Sequence, residues 1–106
     1  MFIAMNRFQI AKGREADFEE VWRKRESYLA GVPGFREFHL LKGPTAEDHT
    51  LYASHSVWQS RRHFEDWTRS EPFRQAHKGA GGVSGIYLGH PHLELFDSVL
   101  EEKAAS

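Results

Sequence analysis

Residues 2–10, FIAMNRFQI, put Phe2, Ala4, Asn6, Phe8 and Ile10 on one side of an extended chain. Successive strand side chains point to opposite faces, so this run must lay one mostly apolar face on something. Lys12-Gly13 ends the run, and the apolar spacing then becomes helical. Glu15–Ala30 is predicted as a helix with Phe18, Val21, Trp22 and Leu29 on its apolar stripe. Glu19–Arg23 and Glu20–Lys24 fall at i,i+4 on its wet side. Gly31, Pro33 and Gly34 stop it. Phe35–Lys42 and Thr50–Trp58 read as two strands joined by the turn-rich loop GPTAEDH. Gln59–Arg69 reads as a short helix carrying Phe64 and Trp67, Gly79–Gly89 as a mobile glycine-rich loop, and His92–Leu100 as a last strand.

The resulting order, β-α-β-β-α-β, predicts an α+β ferredoxin-like fold: an antiparallel sheet with helices on one face. Residues 1–100 make a single domain and 101–106 a frayed tail. The uncovered sheet face would expose apolar side chains, so a homodimer packed sheet on sheet is expected.

Charge and composition narrow the function. A formal net charge of -1 gives no basic footprint for nucleic acid. With no cysteine, thiolate metal sites and thiol chemistry are out. No apolar run approaches the roughly 18 residues of a membrane span, and a reducing cytoplasm is the expected location. The glycines of KGAGG, 78–82, lack the spacing and the preceding strand of a phosphate loop.

Three residues stand out. Asn6 sits mid-strand on the apolar face, and a buried amide without partners costs on the order of 1–3 kcal/mol. Either a backbone or cross-strand group pairs it, or it is aimed into a pocket. His77 follows Phe73 by one helical turn, which suits either a satisfied helical histidine or a ligand beneath a flat apolar cofactor. Trp67 precedes His77 by ten positions, about 15 Å along one straight helix. Pro72 breaks that helix, since proline is tolerated in a first turn but not mid-helix, and so permits the two side chains to share a cavity. His39 and His55 can meet across neighbouring strands on the sheet surface. His49 and His63 are expected to face solvent, and His90 and His92 lack a third ligand.

Asn6-Arg7, Lys12-Gly13 and the block VWQSRRHFEDWTRSEPFRQAHK at 57–78 together resemble the IsdG-type haem-degrading monooxygenases, within the antibiotic-biosynthesis-monooxygenase (ABM) dimeric barrels. The likeness covers residues 1 to about 78 well and the last strand more loosely. It implies a homodimeric β-barrel with one haem site per subunit. It implies a catalytic set of Asn6, Trp67 and His77: His77 as axial iron ligand, Asn6 hydrogen-bonding on the distal side, Trp67 pressing the porphyrin out of plane. Trp22 would wall the pocket, and Phe64 and Phe73 would help bind the cofactor. Haem would then be substrate and cofactor together, with O2 and electrons from an external reductase opening the ring to release iron and a linear tetrapyrrole. Two other readings are a haem carrier without turnover and a cofactor-free ABM monooxygenase acting on an aromatic substrate. The segment GAGGVSGIYLGHPH departs from the family pattern. Propionate partners are not assigned, Arg23, Arg25 and Lys78 being candidates by charge alone.

Overall fold

The structure, a computed structural model, describes residues 1–24, 29–77 and 85–104, with 75–77 by backbone alone. Its elements are β1 Phe2–Ala11, α1 Glu15–Lys24, β2 Phe35–Thr45, β3 His49–Trp58, α2 Arg61–Thr68, α3 Glu71–His77 and β4 His92–Asp97. The strands form one four-stranded sheet in the order β2-β3-β1-β4, every pairing antiparallel. This is the expected α+β ferredoxin-like arrangement.

The alternation in β1 holds: Phe2, Ala4, Phe8 and Ile10 are buried. Their face receives α1 through Phe18, whose ring lies 5.6 Å from Phe8 and 4.7 Å from Tyr52. It receives α2 through Phe64, 5.6 Å from Phe2 and 5.7 Å from Trp58. Both helices therefore cover the same side. A wholly buried ring such as Phe18 contributes about 1.5–3 kcal/mol, enough to dock a ten-residue helix whose own stability is marginal. On the wet side of α1, Arg23 pairs with Glu19 at 3.1 Å and Lys24 with Glu20 at 3.5 Å, as the spacing requires.

Several boundaries differ from expectation. The described part of α1 stops at Lys24; residues 25–28, including Arg25, lie outside the described residues, and Leu29-Ala30 is not helical. Leu29 is buried all the same, because tandem turns take over: the Val32 N–H donates to the Leu29 carbonyl and the Phe35 N–H to that of Val32. The β2–β3 loop is tighter than its composition suggests, since the Ala46 N–H donates to the His49 carbonyl at 2.7 Å and both strands extend into GPTAEDH. β4 ends at Asp97, not Leu100, where its partner β1 runs out at Phe2.

Of the glycine-rich stretch, 78–84 lie outside the described residues, but 85–89 are anchored. Ile86 is buried, its carbonyl accepts from the Ala11 N–H at 2.8 Å, and the Leu88 N–H donates to the Gln9 carbonyl at 2.9 Å. An apolar residue among glycines found a place on the open end of β1.

Ser60 caps α2, its Oγ accepting from the His63 N–H. His63 is half-buried rather than solvent-facing: its Nδ1 lies 2.6 Å from Ser60 Oγ, and its ring occupies the space a side chain on Gly34 would need. His49 is likewise only partly exposed and contacts Asp48 at 2.7 Å. His39 and His55 do pair across β2 and β3, ring centroids 6.0 Å apart. Pro72 lies in the first turn of α3, where its missing N–H costs nothing.

Candidate active site

The core is divided. One cluster gathers Phe2, Ala4, Leu29, Trp58 and Trp67 beneath α2, with Phe38, Phe64 and Phe73 packed against it. The other gathers Phe8, Ile10, Phe18, Tyr52 and Ile86 beneath α1, with Trp22 and Leu40 against it. On β1 the break between them falls at Asn6. The strand register extends that break across the whole sheet: Leu40 of β2 pairs with Ser54 of β3, Ser54 with Asn6, and Asn6 with Leu93 of β4. This row is the floor of a seam between the two helical halves.

Asn6 is the odd member of its strand for a reason visible here. Its Oδ1 is buried and has no hydrogen-bond partner among the described residues. Structural amides inside proteins are paired, so the pairing expected of an ordinary core asparagine is absent. Next to it, Leu93 and Leu95 share the helix-facing side yet are 52% and 37% exposed, leaving an apolar corner uncovered.

The other residues singled out in the sequence lie around this seam. Trp67 is 7% exposed, so only an edge of it can reach a guest. It stacks on Trp58, centroids 6.2 Å apart and planes 29° apart, and meets the edge of Phe73 at 5.4 Å. The corner between α2 and α3 makes that contact possible: Ser70 Oγ donates to the Trp67 carbonyl at 2.6 Å and accepts from the Phe73 N–H at 3.2 Å. Phe64 is partly buried and meets Trp58 edge-on at 5.7 Å. Trp22 stands on the opposite bank, stacked on Phe38 at 5.8 Å and 13°. His77 is the last residue of α3, and its side chain lies outside the described residues, as does all of Lys78.

At the β2 end the seam meets a cavity of about 390 Å³ lined by Trp22, Phe38, Leu40 and Tyr52, with Arg23 and Lys42 among its charged walls. The Tyr52 hydroxyl donates to Glu19 and the Thr50 hydroxyl to Glu15, tying α1 to β3. Burial and the Glu19 bond hold the Tyr52 phenol above its usual range, so it stays a donor. The same bond lowers Glu19, and bonds from its own backbone N–H and from Thr50 lower Glu15. No group of three or more His, Asp or Glu able to hold a metal occurs among the described residues. Nor is any helix among them long and apolar enough to cross a membrane.

Chemically, the seam offers aromatic walls, a central amide and few ionisable groups. That suits a flat apolar guest, and among the described residues no histidine or paired carboxylates converge on it as an acid–base dyad would. Sequence reasoning singled out Asn6 and Trp67; Trp58, Phe38, Ser54 and Leu93, which it did not single out, lie on the same helix-facing side of the sheet. Register carries all four, since the even residues of β3, their partners on β2 and the β4 partner of Asn6 follow once Asn6 is placed.

Comparison with known proteins places the chain in a family. Over 77 residues, 73% of this chain and 71% of the relative, the chain is 31% identical to the staphylobilin-producing heme oxygenase 1 of Staphylococcus aureus (strain Newman). Its fold matches the heme-degrader MhuD of Mycobacterium tuberculosis, solved with two hemes in its active site, with a TM-score of 0.76 at 24% identity, covering 97% of this chain and 100% of that one. It also matches SnoaB, a cofactor-independent oxygenase from Streptomyces nogalater, with a TM-score of 0.66 at 22% identity and 94% of each chain covered. Residues 1–79 match the antibiotic biosynthesis monooxygenase family, to which this chain belongs.

Proposed function

We propose that this chain is a haem-degrading monooxygenase, and that the seam over Asn6 is where the porphyrin lies. The observation that carries this reading is the buried Asn6 Oδ1, without a partner among the described residues, at the break between two apolar clusters. The relative named a heme oxygenase supports it. The residues fit the group: Trp22 and Phe38 give one wall, the Trp67 edge the other, and Leu93 and Leu95 an apolar rim. In this reading His77, closing α3, would hold the haem iron through its imidazole, and Asn6 would offer its amide to the group as a hydrogen-bond partner. Bound haem supplies the oxygen-activating chemistry and is itself the substrate. The chain's residues need only hold it, keep water off its face and orient it. O2 and electrons come from outside, the electrons through a separate reductase.

The opposite sheet face, with Leu41 at 41% and Phe96 at 47% exposure, is the face we assign to a homodimer. The shared fold with a cofactor-independent oxygenase, together with the aromatic walls, defines the rival: an aromatic substrate in the same seam.

A hemin titration followed by ascorbate in air, with catalase present, separates the readings. A stoichiometric Soret band that decays with release of iron is expected, and His77→Ala abolishes both band and decay. A band that persists with every donor tried identifies a carrier. Absence of any stoichiometric band refutes the haem reading in favour of the cofactor-free one.

A further inference from the structure

Trp58 is the largest fully buried side chain of the protein, at 0% exposure. It ends β3 in the middle of the sheet, paired with Phe2 on one side and Phe35 on the other. Its indole N–H donates to Ser56 Oγ at 3.0 Å, and Ser56 Oγ donates in turn to the Ala4 carbonyl at 3.3 Å. That relay crosses from β3 to β1 and fixes which way the indole points. Phe35 and Phe64 meet it edge-on at 5.6 and 5.7 Å, planes 67° and 71° apart, and oppose its rotation. Trp67 then lies nearly parallel on this immobilised ring, and Phe73 closes on Trp67 edge-on at 86°.

A position needing only apolar volume is filled as well by phenylalanine, without a hydrogen-bond partner to supply. An indole with a dedicated acceptor specifies an orientation as well as a volume. We propose that Trp58, held by Ser56, is a positioning residue that sets the plane of Trp67 at the edge of the seam. Through Phe73, which precedes His77 by four residues on α3, the same stack fixes how that helix meets Trp67. The inference rests on the functional reading above for its consequence in turnover. Its geometry stands in the haem-free protein.

The test uses Trp58→Phe and Ser56→Ala in the whole chain. Two stacked indoles couple, so haem-free wild type shows an exciton couplet in its circular dichroism spectrum. Trp58→Phe removes the couplet, and Ser56→Ala, which keeps both indoles, weakens it as the ring loses its tether. With hemin, both variants bind with unchanged affinity. They turn over at least tenfold more slowly, and their haem proton shifts in NMR move toward those of a flatter ring.

A couplet unaltered in Ser56→Ala overturns the tether. An altered couplet with unchanged turnover and haem shifts overturns positioning and leaves Trp58 as packing. If Trp58→Phe does not fold, Ser56→Ala alone decides both points. A wild-type protein that never degrades haem refutes the functional reading instead, and the haem-free couplet still decides whether Trp58 orients Trp67.

Discussion

Replacing Asn6 by leucine separates a functional amide from a structural one. A buried carbonyl left without a hydrogen bond costs about 1–3 kcal/mol, and the Asn6 Oδ1 has no partner among the described residues. Leucine removes the cost and inserts a side chain between Ala4 and Phe8, joining the two clusters on the apolar face of β1. Full burial of that side chain adds about 2 kcal/mol. Asn6 is only half-buried, so less than half of this gain applies, and shape mismatch in a seam built for something else takes back part of the total. The net expectation is a stabilisation of about 1–2 kcal/mol. For a domain of this size each kcal/mol moves the melting temperature by about 4 °C. Haem-free Asn6→Leu should therefore melt about 4–8 °C above wild type by calorimetry, while haem degradation is lost. A melting temperature below that of wild type refutes the reasoning, since it shows that the amide holds the native sheet together.

Two further perturbations test the frame of the site. Gly34→Ala places a Cβ into the His63 ring at a backbone φ of +82, so denaturant unfolding should show a loss of more than 2 kcal/mol from strain and overlap together. Gly34→Ala/His63→Ala should recover the overlap part, and identical losses in single and double variants would show that the ring does not press on Gly34. The lowered Glu19 contributes stability above its ordinary value of 4.5, and that stability is lost as pH falls through the lower folded value. Tyr52→Phe removes the first cause of the shift, so the gap in melting temperature between wild type and variant should be full at pH 7 and shrink below about pH 4.5. A gap constant down to pH 3 would contradict the assigned bond.

The fold was legible because hydrophobic period changes with element type. Period-two alternation in residues 2–10 and helical spacing from Glu15 are local signals, and both held. Boundaries set by distant groups were not legible. β4 stops where β1 offers no more partners, and Leu29 is buried from a turn because the core needs the side chain and not the helix. His63 looked solvent-facing by spacing alone; its neighbour Gly34 is remote in sequence and leaves the room its ring fills. Asn6 could be singled out from its strand, but that its Oδ1 finds no partner among the described residues shows only in the folded chain. Trp58 is a strand tryptophan like many others until Ser56 and Trp67 are seen around it.

The split core has a consequence for how substitutions combine. Changes in separate parts of a protein add, and they deviate from additivity when they share contacts. Phe18 and Phe64 belong to different clusters that meet at the Trp22–Phe38 stack, so without haem their truncations should sum except for what passes through that contact. A guest in the proposed site would lie across the Leu40–Ser54–Asn6–Leu93 row, touch both banks at once and add to the link that Trp22 and Phe38 make. The interaction energy between Phe18 and Phe64 would then rise on binding, and the two halves of the chain are freest to diverge in sequence where they meet neither the guest nor the Trp22–Phe38 stack.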